Sequence, residues 1–260
     1  MLLEPHANGM RPHAMISGLK AASHKLPKKS SALTSILDQV SIAFQMRPDV
    51  ANLLHGQRRI HQGGRGRRTA LFASKKNGGA IPVESRLELA HAIALEGDSN
   101  VRRYRTQAIC IALAAQHVAY PDFLVETAGG HFEIHEVKPS ISHLSTDELN
   151  RFDRIEHILR TYRIGFRLID TKNLASGRAL EERLLSYTRG HTGHFTPEQI
   201  MLALKVLKSS PLSLLSDAYH RLKKHDLPPF LADYLNFHGQ WICLPHVPTQ
   251  QSRRRREHAY

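Results

Sequence analysis

Tyr120-Pro121-Asp122-Phe123-Leu124-Val125-Glu126, a Gly129-Gly130 turn, then Glu136-Val137-Lys138-Pro139: this stretch decides how the chain is read. Asp122 lies fourteen residues before Glu136, and Lys138 lies two after it. Along a strand, residues i and i+2 share a face, so Glu136 and Lys138 emerge side by side. A hairpin closed at Gly129-Gly130 swings Asp122 alongside them. The hairpin is bounded by apolar strand residues, Phe123, Val125, Ile134 and Val137. Two carboxylates suit a hard divalent cation, and an ammonium beside them orients a water or neutralises charge on a phosphate.

Each member has an ordinary explanation. An Asp after Pro is usually a turn residue. Glu136 and Lys138 make a modest ion pair on any solvated strand face. Their shared hairpin favours the metal reading. A third carboxylate is expected from the preceding helix, where Glu84, Glu88 and Glu96 are the candidates. Ser85-x-x-Glu88 is also a capping box, which gives Glu88 a purely local task. Glu96 precedes Gly97-Asp98 and suits helix-end solvation. Spacing does not choose among the three.

The 260 residues carry 36 Lys and Arg against 23 Asp and Glu, a formal charge of +13. Such a balance implies an anionic partner, most simply nucleic acid. Residues 1–80 hold thirteen Lys and Arg against three Asp and Glu, a net of +10. Residues 253–257 add four Arg against one Glu, +3, which leaves 81–252 neutral. Arg65, Arg67, Arg68, Lys75 and Lys76 in a Gly-rich run, and Arg253, Arg254, Arg255 and Arg256, are therefore read as phosphate-contacting residues. Two distant cysteines, Cys110 and Cys243, give neither a disulfide framework nor a cysteine zinc site. No signal peptide is expected, and the apolar run Ala108–Ala115 is far too short to span a bilayer, so a cytoplasmic location is expected.

Residues 1–78 read as a basic arm, with one or two short helices within 31–55. Residues 79–178 read as an α/β domain. It holds a helix over Ser85–Glu96, strands over 104–114, Val118–Glu126 and Phe132–Val137, and a helix from the Ser145–Glu148 capping box to Tyr162. A strand over Gly165–Asp170 closes it. The acidic cluster then falls at one edge of the sheet. Residues 179–260 read as a helical, winged-helix-like module with a basic tail. Its helices are expected at Thr196–Lys208, Leu214–Lys224 and Pro229–Phe237, with a short strand at Gly239–Leu244.

The Asp…Glu-x-Lys spacing is similar to that of PD-(D/E)xK nucleases. Four ordered blocks resemble one family more closely. They are Glu84-Ser85-Arg86-Leu87-Glu88-Leu89-Ala90 with Leu95-Glu96-Gly97-Asp98, Tyr104-Arg105-Thr106-Gln107, Tyr120–Val125, and Glu136–Pro139. Over about residues 70–170 the chain resembles TnsA, the endonuclease subunit of heteromeric transposases. The resemblance implies a restriction-endonuclease-like core, a mixed sheet with flanking helices. It makes Glu88, Asp122 and Glu136 metal ligands, with the Val137 carbonyl as a further ligand. It makes Lys138 catalytic and Gln107 a supporting residue. It implies Mg²⁺ as cofactor, with Mn²⁺ able to substitute. It implies cleavage of the 5′ ends of a mobile DNA element, with a TnsB-like DDE transposase and a TnsC-like AAA+ regulator as partners. The alternatives are a stand-alone phage or restriction-type nuclease of the same fold, and a DNA-binding subunit with a decayed site.

Overall fold

Four strands form one sheet, with the hairpin at its centre. The computed structural model describes residues 35–45, 48, 57, 69–114, 117–209, 211–212 and 214–242. Helix α1 is Ile36–Ala43, with Ser35 accepting from the Asp38 N–H. Strands β1 (Ala70–Ser74) and β2 (Gly79–Val83) form an antiparallel hairpin. Helix α2 (Arg86–Gly97) follows, then β3 (Val101–Thr106), β4 (Ile111–Ala114), β5 (His117–Ala119), β6 (Phe123–Thr127) and β7 (Phe132–Lys138). Helix α3 (Thr146–Thr161) leads to β8 (Gly165–Asp170). Helices α4 (Gly177–Gly190), α5 (Pro197–Lys208), α6 (Leu215–Lys223) and α7 (Leu231–Phe237) complete the described chain.

The main sheet runs β3-β6-β7-β8. Its first three strands are antiparallel, and β8 lies parallel to β7. This is a mixed α/β sheet flanked by helices. Strand alternation divides the core. Phe123, Val125 and Val137 pack with Tyr104 and with Ala90 and Ile93 of α2. Leu124 and Ile134 point the other way, to Phe152, Ile155 and Leu159 of α3 and to Ile36 and Val40 of α1. Phe123 is fully buried, and a phenylalanine so placed is worth about 1.5–3 kcal/mol.

Helix α3 starts where its capping box puts it, with both reciprocal bonds formed. The β6–β7 turn closes with the Gly130 N–H donating to Thr127 O at 3.0 Å. Gly130 has φ +79°, a conformation that is strained for a residue with a Cβ. The single strand expected over 104–114 is two. Gln107 takes φ +46° and ends β3, and β4 pairs with β5 in a separate ribbon. Likewise Val118–Glu126 breaks at Pro121, which lacks the N–H needed to continue a ladder. The acidic end of β7 belongs to a central strand, not an edge strand of the sheet.

The β1–β2 hairpin and α4 add elements that the sequence pattern does not announce. One apolar cluster joins Phe72 of β1 to Leu180 and Tyr187 of α4 and to Phe237 of α7, so packing runs through positions 78–79 and 178–179. Gly190 lets α4 approach α7, since a Cβ there would meet the Tyr234 N at 2.6 Å. Helices α5, α6 and α7 share a core with Trp241. Among the described residues 239–242 there is no strand; Cys243 and Leu244 lie outside the described set. The reason is local. Gly239 turns with φ +64°, and the Gln240 and Trp241 N–H groups both fold back onto Leu235 O. Residues 1–34, Arg65, Arg67, Arg68 and Arg253–Arg256 lie outside the described residues. Among the described residues no helix is long and apolar enough to cross a membrane.

Candidate functional site

Three of the expected residues meet where β6 begins and β7 ends. The pairing register sets Phe123 against His135, so Asp122 falls beside Glu136 on the next strand. The Asp122 Oδ2 accepts the Val137 N–H at 2.8 Å, which pins the carboxylate across the strand pair. Glu136 is 7 % exposed, and its Oε1 lies 2.8 Å from the Lys138 Nζ. That ammonium also sits 5.4 Å from the Phe152 ring centroid. The apolar α3 face thus limits where Lys138 can swing.

The electrostatics of Asp122 are those of a crowded carboxylate. Burial, and then the charge of Glu136, push its pKa up from 3.8 to about 7. Glu88 adds to the upward push, whereas the Val137 N–H bond and Lys138 pull the other way. Like charges gathered in a low-dielectric site disfavour ionisation. A hard cation among these oxygens would relieve the same repulsion. The donor set is all oxygen, which suits Mg²⁺ or Mn²⁺ rather than zinc.

Glu88 acts on Asp122 by charge but is held locally. Its Oε2 accepts the Glu84 N–H at 2.8 Å, and its Oε1 accepts the Ser85 hydroxyl at 3.1 Å. Ser85 in turn accepts the Glu88 N–H at 3.0 Å. Among the described residues no three His, Cys, Asp or Glu side chains stand close enough to share one ion. The structure brings Asp122, Glu136 and Lys138 together, and Glu88 engages its carboxylate at the start of α2.

Glu96 is placed elsewhere. It is 2 % exposed and accepts from the Tyr104 hydroxyl at 2.9 Å, the Tyr187 hydroxyl at 3.2 Å and Ser74. It ties β1, β3 and α4 to the end of α2. Gln107 lies next to the cluster, and its N–H donates to the Asp122 carbonyl at 2.9 Å. Its left-handed backbone costs about 1 kcal/mol or more for a non-glycine residue. Lys76 is half-buried. Its Nζ donates to the carbonyls of Leu95, Val101 and Asp98, capping the end of α2. Lys75 is exposed.

A histidine pair stands behind the site, unmarked by any sequence motif. The His91 and His135 rings meet at 3.0 Å, Nε2 to Nδ1, and His135 Nε2 lies 3.0 Å from Glu133. The Glu133 carboxylate accepts from His135 Nε2–H, so His135 Nδ1 must accept from His91 Nε2–H. Burial, and then the neighbouring His135, lower His91 to about 3, which keeps it neutral. The bond links α2 to β7, one residue from Glu136. Strand alternation alone places His135 on the face opposite Glu136, but nothing local marks His91 as its partner.

No protein family and no curated protein matches the chain in sequence comparisons.

Proposed function

We propose that the chain is a metal-dependent DNA endonuclease of the PD-(D/E)xK type, acting as the TnsA-like subunit of a heteromeric transposase. One observation carries this reading. Asp122 is held by Val137 beside Glu136 and Lys138, and its carboxyl is lifted to about 7 by burial and by the neighbouring carboxylates. A surface ion pair needs no such crowding. The order α2-β3-β6-β7-α3-β8, three antiparallel strands and then a parallel one, supports a restriction-endonuclease-like core.

Asp122 and Glu136 would hold the ion, with the Val137 carbonyl beside them. Glu88 would join by releasing Ser85 and Glu84. When bound, the ion supplies Lewis acidity to the scissile phosphate and acidifies a water. Lys138 orients the attacking water and offsets charge gathering on the phosphorane oxygens. Gln107 keeps the Asp122 backbone in place through its N–H. The net charge of +13 fits a polyanionic substrate.

The experiment is strand cleavage of DNA carrying the element's ends, with the partner transposase present, in Mg²⁺ or Mn²⁺. Asp122→Ala is expected to abolish cleavage and Lys138→Ala to lower it by about 10²–10³-fold, both variants remaining folded. Wild-type cleavage by either variant contradicts the proposal.

A further inference from the structure

Two helices end in histidines whose rings meet. His191 is the C-cap residue of α4, and His238 is that of α7. The two side chains face one another, Nε2 to Nε2, at 3.3 Å. Their planes cross at 64° rather than stacking, with ring centroids 5.3 Å apart. Helix α2 ends against the same place: a Cβ on Gly97 would lie 3.5 Å from Phe237 O. Three helix C-termini therefore converge near the pair. Their last carbonyls and dipoles favour a positive charge.

The proton positions follow from the partners. His191 Nδ1 lies 2.8 Å from Tyr187 O. A carbonyl only accepts, so Nδ1 carries the hydrogen, and Nε2 of the neutral ring holds a lone pair. His238 is hydrogen-bonded to the Gly97 backbone, a contact that favours a proton on its ring. Its Nε2 faces His191, which leaves Nδ1–H for Gly97 and a lone pair on Nε2. Burial lowers the pKa of both rings, and that of His238 falls to about 4 with the charge of His191 as the next cause. Both rings are then neutral at pH 7, and two lone pairs point at each other. The His91–His135 pair is different, because its nitrogens meet at 3.0 Å and one of them donates.

Two opposed imidazole lone pairs are what a metal ion takes up. Zinc binds imidazole nitrogen at about 2.0–2.1 Å in a tetrahedral shell, which sets two such nitrogens roughly 3.3–3.4 Å apart. An Nδ1–H bond to a backbone carbonyl is the usual device that orients a metal-bound histidine. The rings are also held by packing: the Tyr187 ring lies 4.5 Å from His191, and the Tyr234 ring 4.5 Å from His238. Glu96 adds negative charge near His191, whereas Lys75, Lys76 and Arg183 oppose it around the pair. A cavity of about 300 Å³ opens beside His191, with His194, Phe195 and Tyr234 on its wall. Among the described residues no third imidazole, thiol or carboxylate is already in place. Water from the cavity and the exposed His194 are left to complete the shell.

We infer that His191 and His238 form a binding site for a borderline divalent metal ion of the Zn²⁺ class, which clamps the end of α7 to the end of α4. The site shares no residue with the Asp122 cluster and does not rest on the proposed function. Its nitrogen ligands select a softer ion than the all-oxygen set of Asp122 and Glu136.

The test uses the full-length protein. Zn²⁺ is titrated calorimetrically at neutral pH with excess Mg²⁺ present. Eighteen histidines give background binding, so the site is read as a difference between proteins. His191→Gln and His238→Gln are each expected to lose one equivalent of zinc, or to bind it at least tenfold more weakly. Asp122→Asn is expected to keep it. Nitrogen-15 spectra of the imidazoles in wild-type protein supply a readout that needs no variant. Both rings should hold their hydrogen on Nδ1 before zinc, and both Nε2 resonances should move when zinc is added. Equal zinc binding by wild type and both histidine variants overturns the site. So do Nε2 resonances that zinc leaves in place, and so does an equivalent lost in Asp122→Asn alone.

Discussion

The Asp122 carboxylate accepts the Val137 N–H across the β6–β7 pair at 2.8 Å, and Val137 is flanked in sequence by Glu136 and Lys138. That bond explains how a carboxylate can be both crowded and ordered. Removing the charge while keeping the acceptor is therefore informative. Asp122→Asn can still accept from Val137. It is expected to fold as wild type and to lose metal-dependent cleavage, by comparison of unfolding curves and cleavage rates.

The same group sets a pH dependence. Its folded pKa, about 7, lies above the unfolded value of 3.8, so the folded state holds the proton more tightly. Metal-free stability should fall as pH rises from about 4 to about 7 and flatten above. At pH 8 without metal, Asp122→Asn is expected to be more stable than wild type by on the order of 1–3 kcal/mol. Denaturant unfolding from pH 4 to 8 checks this. A wild-type profile that is flat through this window, with Asp122→Asn no more stable, contradicts the crowding.

Glu88 has a cap to lose as well as a ligand role to gain. Gln serves at the third helical position too, so Glu88→Gln should lower stability by less than about 1 kcal/mol. If the carboxylate joins the ion, Mn²⁺ affinity falls at least tenfold in this variant. Unchanged Mn²⁺ affinity and cleavage would confine Glu88 to its cap.

Lys138 is tied to Glu136 at 2.8 Å, so its replacement tests chemistry and local charge together. Lys138→Ala is expected to lower single-turnover cleavage by about 10²–10³-fold, the effect of removing one transition-state donor. Wild-type rates in the variant would remove Lys138 from the mechanism.

The centre of the fold is legible in the sequence because its signals are local. The Gly129-Gly130 turn, the Ser145 capping box and the apolar alternation of 123–137 each dictate structure within a few residues. The Gly165–Asp170 strand is legible for the same reason. What escapes such reading depends on distant partners. The β1–β2 hairpin lies in a Gly- and Lys-rich run, and its order comes from its turn residue Asn77, which accepts the Tyr104 N–H of β3, and from the Tyr187 hydroxyl of α4, which accepts the Lys75 N–H. Helix α4 has an ordinary polar sequence, and its buried face is defined by distant partners, α7, β1 and α2. The 104–114 run has strand composition throughout, and only the left-handed Gln107 breaks it. In the site, period-two spacing suffices for Asp122, Glu136 and Lys138. The Ser85-x-x-Glu88 pattern announces the local contact that holds Glu88, without choosing it over the metal role.

The basic C-terminal run offers a prediction independent of the described residues. Removing residues 253–260 takes away four Arg and one Glu. It is expected to weaken DNA binding evenly across sequences and to flatten the salt slope, by about 0.9 for each phosphate no longer neutralised, without changing the bond cut. An unchanged slope assigns the run to a protein partner.

Calorimetric titration of Mn²⁺ onto the full-length protein at pH 6 and pH 8 bears most directly on the metal-dependent reading. Wild-type protein should bind the ion at the Asp122–Glu136 pair, more tightly at pH 8 because Asp122 must first lose its proton. Asp122→Asn should bind at least tenfold more weakly at pH 8. Undiminished binding in Asp122→Asn, or no binding by the wild-type chain, would contradict a metal site at these carboxylates.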